Sequence, residues 1–276
     1  MKAALVVAHP GHELVVHGWM EEVRPTVFAI TDGSGRGGVP RLDSSIRVVE
    51  AAGAKVGSLF GIVSDQQVYR AVLEHDHEFF VRLADALSAA LVEENVDYVA
   101  GDAAEGLNPV HDLCRMVLDG AVRRASSQCG PIVNYEFPLF RSHEVAGEEN
   151  GSAIYRLLGA EALQRKLAAA TGYSELSGEV AAAFSGTSRE VLDRYPELAK
   201  RVDQSLSTLS REAYAFERMT PVSIQPENET PFYEAYSEQL VASGVYAAPI
   251  RYHEHIRPIR RRLERYPAQV HPWNAG

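Results

Sequence analysis

The apolar run Ala4-Leu5-Val6-Val7-Ala8 stands near the head of the chain with no polar residue to break it. Such a run reads as a strand buried on both faces, the pattern of a parallel sheet covered by helices. His9-Pro10-Gly11-His12-Glu13 follows directly. Two imidazoles therefore sit on a tight turn at the carboxyl end of the first strand. In open α/β sheets that edge is where ligands bind. Imidazoles at this spacing can share one metal ion. The plainer reading of the pair alone is one surface histidine and one hydrogen-bonded core histidine.

A second polar loop follows the strand-like run Val96-Asp97-Tyr98-Val99-Ala100 and extends from Gly101 through Asp102, Glu105 and Asn108 to His111 and Asp112. His111 opens a helical pattern carried by Leu113, Val117, Leu118 and Ala121. It is a candidate third ligand from a neighbouring strand end, and three protein ligands with one open position is how catalytic zinc is held.

Strands are expected near 2–8, 26–31, 58–63, 96–100 and 131–135, and helices near 42–56, 75–94 and 110–126. That alternation predicts a Rossmann-like α/β fold, a parallel sheet with flanking crossover helices. The loops after strands one, two and four then meet on one edge. From about residue 150 the periodicity turns helical, near 159–171, 176–184, 188–194 and 197–216, with Tyr214, Phe216 and Met219 closing that block against the sheet. A Pro-rich extended piece, then helices near 231–243 and 251–264, complete the chain. The expected organisation is a Rossmann-like metal-binding domain over 1–150 and a helical C-terminal extension over 151–276, packed on the same core.

The first 140 residues or so resemble the PIG-L/LmbE-like metal-dependent deacetylases. Ala8-His9-Pro10-Gly11-His12-Glu13 stands where that family carries Ala-His-Pro-Asp-Asp-Glu. Asn108-Pro109-Val110-His111 stands for its His-Pro-Asp-His. The loop Thr31-Asp32-Gly33-Ser34-Gly35-Arg36-Gly37-Gly38 and the helix Arg47-Val48-Val49-Glu50-Ala51 with Gly57 match two further family segments in order and spacing. The resemblance implies a zinc-dependent deacetylase of an N-acylated amino sugar or sugar conjugate, with metal-bound water attacking the amide. It implies His9, His12 and His111 as the metal ligands, zinc or another divalent transition metal.

The departures from the family are chemical. Its general base is replaced by Gly11, its second ligand Asp by His12, and its assisting His by Asn108. Asn108 can still donate to an oxyanion. Candidate replacement bases are Asp32, Asp102, Glu105 and Asp112, with Asp32 alternatively orienting a ligand imidazole from behind. Arg36, Glu13 and His17 are candidate substrate contacts. Two other readings stay open: a family member that binds metal and sugar without turnover, and a nucleotide-dependent transferase using the glycine loop as a phosphate cradle.

A net charge of −10 over 276 residues argues against nucleic acid as a partner. No apolar run approaches a membrane span, and the short apolar start is no secretory signal. Cys114 and Cys129 have no metal or redox spacing and suit a reducing compartment, so a cytoplasmic enzyme acting on a small molecule is expected. The oligomeric state is open, a homo-oligomer included. His75-Asp76-His77 and His253-Glu254-His255 look like ligand pairs, but in helices such spacings point apart. They are expected to be surface or capping residues, as is the run Arg257-Pro258-Ile259-Arg260-Arg261-Arg262. His143 is expected in an exposed loop.

Overall fold

All side chains of β1 (Ala3–Val7) and β2 (Thr26–Thr31) are buried, and β4 (Tyr98–Asp102) is nearly so. Strands covered on both faces need helices above and below, and the computed structural model has them. It describes residues 1–35, 38–139, 153–176, 214–222 and 230–265. Alternate side chains of β1 enter different layers. Ala4, Val6 and Ala8 join the cluster built on α4 (His77–Glu93), α5 (Pro109–Cys129) and α8 (Arg257–Glu264). Ala3, Leu5 and Val7 join Trp19 and Met20 of α1 (His17–Val23) and Val48 and Val49 of α2 (Leu42–Ala51).

The remaining strands are β3 (Lys55–Val63), β5 (Val133–Phe137), β6 (Ile154–Leu157) and β7 (Phe216–Pro221). The sheet order is β3-β2-β1-β4-β5-β7-β6. The first five strands pair in parallel, while β7 runs antiparallel to β5 and to β6. The sheet is thus mixed where a parallel one was expected. Phe216 and Met219 do not close a helical block but lie within β7 itself. Short alternating segments such as Ile154–Leu157 carry too little apolar signal to separate from loop.

The helix α3 (Asp65–Leu73) was also not expected, although Ser64 and Gln67 form a full capping box at its start. The expected helices near 159–171 and 231–243 appear as α6 (Ala160–Thr171) and α7 (Phe232–Ala242). Those expected between 177 and 213, His143 and the residues after 265 lie outside the described residues. Among the described residues no helix is long and apolar enough to cross a membrane.

The chain places β2 and β3 on one side of β1, then returns to place β4 on the other. That reversal opens a crevice at the carboxyl ends of β1 and β4. His9 and His12 follow β1, and Asp102 and His111 follow β4.

Candidate metal and catalytic site

The turn after β1 is fixed by a carboxylate folded under it. Glu13 is fully buried; its Oε2 accepts from Gly11 N–H (2.6 Å) and its Oε1 from the Ser45 hydroxyl (2.7 Å). Gly11 has φ 110°, a region that favours glycine. The chain then forms a 3-10 turn, His12–Val16, which aims the His12 ring back over the strand end.

Each of the first two imidazoles is held from behind through Nδ1. His12 Nδ1 lies 2.7 Å from Asp102 Oδ2, which also accepts from Ala8 N–H at 2.7 Å. His9 Nδ1 lies 2.6 Å from Thr31 Oγ1, at the end of β2, and 3.0 Å from Asp65 Oδ1, at the start of α3. A neutral imidazole that gives its Nδ1 proton to a carboxylate presents Nε2 as its lone-pair donor. His111 enters from the first turn of α5, whose cap is Asn108. The three ring centres lie 5.2 Å (His9–His12), 4.8 Å (His9–His111) and 4.6 Å (His12–His111) apart. Imidazoles that share one tetrahedral ion at the usual ~2.1 Å put their ring centres roughly 5 Å apart. The donor set, its spacing and the carboxylates behind it therefore fit a divalent transition metal.

The electrostatics point the same way for two of the three rings, His9 and His111. Burial lowers the His9 imidazole despite Asp65, and burial with the two neighbouring imidazoles holds His111 well below the usual range. Burial would also lower His12, but Asp102 beside it carries it above its usual value. Burial works against the Asp65 carboxylate, yet the adjacent His9 ring outweighs it and brings the group down to about 2.

These directions set a pH dependence for the metal-free protein. An imidazole held below its unfolded value of about 6.5 is neutral in the fold while the unfolded chain takes up a proton, so stability falls as pH drops below about 6.5. His9, His111, His17 and His255 act this way, and His12 and the buried Glu13 carboxyl, both held above their usual values, oppose them. The Tm of the metal-free protein is expected to fall between pH 7 and 5.5, at roughly 2–4 °C for each kcal/mol lost. Scanning calorimetry across that range checks it; a flat or rising Tm contradicts it.

No family model matches the sequence, and no curated protein matches it. Solved structures do. An A40926 pseudoaglycone deacetylase superposes with a TM-score of 0.50 at 18% identity, covering 82% of this chain and 99% of that one. A triple mutant of a deacetylase of the teicoplanin biosynthetic pathway gives 0.51 at 16% identity, covering 83% and 100%. The chain shares the fold of these two solved proteins.

Within that fold the other candidate residues are engaged locally. Asp32 does not meet a ligand ring: its Oδ1 accepts from Ser34 N–H (2.9 Å) and lies 3.4 Å from Asp65 N. Asp65, which sequence reasoning missed, stands behind His9 instead. Its signal was the Ser64-Gln67 capping pattern after a strand. Asp112 Oδ1 accepts from Glu105 and Gly106 N–H at 3.1 and 3.2 Å, and Glu105 Oε2 accepts from Leu139 N–H at 2.9 Å. Asn108 Oδ1 accepts from Val110 N–H at 2.8 Å.

His17 is buried in α1, where burial lowers its imidazole and Glu21, Glu217 and Lys166 are its charged neighbours. Arg36 lies outside the described residues. In the glycine loop, Gly35 N–H donates to Asp65 and Ser34 N–H to Asp32, and α2 begins only at Leu42. Those N–H groups face the protein's own carboxylates.

Among the described residues, the group of three donors whose ligand atoms all lie within 4.8 Å of one another is a different one, His75, Glu254 and His255. His75 takes a left-handed backbone after α3, and its ring stacks on His255 at 5.2 Å and 14°. His255 Nδ1 accepts from Arg251 N–H at 3.0 Å, which leaves the neutral ring's proton on Nε2. Near-parallel rings with that tautomer make a packing contact between α3 and the carboxyl-terminal segment. As they stand they are not poised to chelate.

Proposed function

We propose that this protein is a metal-dependent hydrolase that removes an acyl group from a sugar or sugar conjugate, with His9, His12 and His111 holding the ion. The observation that carries this reading is the gathering of three imidazoles, ring centres within 5.2 Å of one another, at the switch point of a fold shared with solved deacetylases, two of them backed through Nδ1. Three neutral nitrogen donors suit zinc, and suit cobalt, nickel or iron as well. A divalent ion at such a site polarises a carbonyl and supplies a water of lowered pKa.

The chain's own residues supply the rest. Asp102 and the Thr31–Asp65 pair lock the two rings in the Nε2-donor tautomer. Asn108 borders His111 and keeps its amide N–H groups available for an oxygen developing negative charge, while its oxygen caps α5. One solved deacetylase of similar fold is named for the A40926 pseudoaglycone and another for the teicoplanin biosynthetic pathway, and with the resemblance of the first 140 residues to amino-sugar deacetylases this supports a sugar conjugate as substrate. Both cysteines are unpaired, in keeping with a reducing compartment.

The test has two parts. The purified protein should bind about one divalent ion per chain by elemental analysis. It should also release acetate from at least one member of a panel of O- and N-acetylated glycosides in a metal-dependent way. Bound metal with no acyl release across the panel would instead favour a binding protein without turnover.

A further inference from the structure

We infer that the glycine loop after β2 is a positioning element of the metal site: through the N–H groups of Gly33 and Gly35 it keeps the imidazole proton on His9 Nδ1 and so presents Nε2 as the donor. This rests on the reading of His9 as a metal ligand.

The loop and the turn that carries the ligands touch directly. Thr31 N–H donates to the Ala8 carbonyl at 2.9 Å, and a Cβ on Gly33 would come within 3.0 Å of Pro10 Cδ. Two oxygens stand behind the His9 ring, Thr31 Oγ1 at 2.6 Å and Asp65 Oδ1 at 3.0 Å from Nδ1. Each of these side chains is held in turn by a backbone N–H of the loop. Gly33 N–H donates to Thr31 Oγ1 at 3.3 Å, and Gly35 N–H donates to Asp65 Oδ2 at 2.6 Å. The Thr31 hydroxyl also hydrogen-bonds the Asp65 carboxylate. Asp32 ties the loop to the start of α3, since its Oδ1 accepts from Ser34 N–H at 2.9 Å and lies 3.4 Å from Asp65 N.

Bonding capacity then decides where the protons lie. A backbone N–H only donates, an ionised carboxylate only accepts, and a hydroxyl has one proton and two lone pairs. The Thr31 proton therefore goes to Asp65, and one of its lone pairs to Gly33 N–H. The remaining lone pair faces His9, so both oxygens behind the ring act as acceptors and Nδ1 carries the proton. Without the two loop N–H groups the hydroxyl is free to turn and donate to Nδ1. The ring proton then sits on Nε2 and blocks it as a ligand.

Gly35 is the position at which this link can be tested. Its φ is 50°, where a β-branched side chain is strained and asparagine is tolerated. It is exposed, and among the described residues a Cβ there meets nothing within 4 Å. A substitution acts through the backbone, and hence through the N–H on Asp65. Gly244, just after α7, has φ 74° and the same open surroundings, and supplies equivalent strain away from the site. Metal-free wild type, Gly35→Val, Gly35→Asn and Gly244→Val are titrated with zinc by calorimetry and, loaded with cobalt(II), compared by visible absorption. Gly35→Val is expected to lower zinc affinity by roughly 10–100-fold, the range for a group that orients a ligand imidazole from behind, and to shift the cobalt band. Gly35→Asn and Gly244→Val should stay within a few-fold of wild type and keep its band. Wild-type affinity and band in Gly35→Val, or an equal loss in Gly244→Val, overturns the inference and leaves the ligand set standing. A wild type that binds no zinc overturns the metal reading and this inference together.

Discussion

Replacing His12 by alanine is expected to leave a folded protein that retains less than about a tenth of the wild-type metal and releases acyl groups more than about a hundred times more slowly. The loss should exceed that caused by Asp102→Asn, because the carboxylate behind a ligand imidazole contributes roughly 10–100-fold to metal affinity or activity, and a ligand contributes the bond itself. His12 lies on a solvent-side turn and is only partly buried, so its truncation opens no core cavity. Asp102 is different: its Oδ2 also accepts from Ala8 N–H inside the sheet edge. Asparagine keeps an acceptor there while losing the charge that fixes the His12 tautomer. Elemental analysis, calorimetric titration with zinc and initial acyl-release rates on both variants decide the matter. Equal metal content in wild type and His12→Ala would remove His12 from the ligand set.

The ordering of those two effects also separates what was legible in the chain from what was not. The buried run before His9, the second run before Asp102 and the helix opened by His111 predicted a three-imidazole edge. The switch between β1 and β4 places all three there. Local patterns sufficed because His9 and His12 directly follow one apolar strand and His111 opens the helix after another. The carboxylates were harder. Asp102 was weighed as a base, and Asp65 was not weighed at all. Which carboxyl group backs which ring depends on the lateral order of strands, and spacing along the chain does not carry that order. Gly11 was legible as a departure from the family. Its close approach to Leu176 was not, since that residue comes from 165 positions away in sequence. The antiparallel pair β6 and β7 escaped for a related reason. A four-residue edge strand such as Ile154–Leu157, with Tyr155 and Leu157 exposed, has no continuous apolar face to announce it.

Glu217→Ala is expected to be the most destabilising single substitution outside the hydrophobic core, by about 3–5 kcal/mol. Glu217 on β7 is 0% and Lys166 on α6 is 7% exposed at the side chain, and their charged atoms are 2.8 Å apart. Glu217 also accepts from Gly18 N–H (2.9 Å) and Trp19 N–H (2.8 Å) at the start of α1, while Lys166 Nζ donates to the Val15 carbonyl (2.7 Å). These bonds hold both ends of the segment that follows His12, using residues 150 to 200 positions further along. Alanine at 217 strands a buried ammonium and two backbone N–H groups at once, and desolvation cost dominates because no water reaches them. Burial already lowers the Lys166 amine, with Glu217 opposing that shift. Removing the carboxylate leaves the lysine to deprotonate or the fold to open. The double variant Lys166→Met, Glu217→Gln keeps an acceptor for one of the two N–H groups and removes the stranded charge. It should therefore be more stable than Glu217→Ala alone, recovering more than half of the loss. Urea unfolding of the three proteins measures this directly. A single-variant cost below about 1 kcal/mol, or a double variant less stable than Glu217→Ala, would show that the pair does not secure the turn carrying His12.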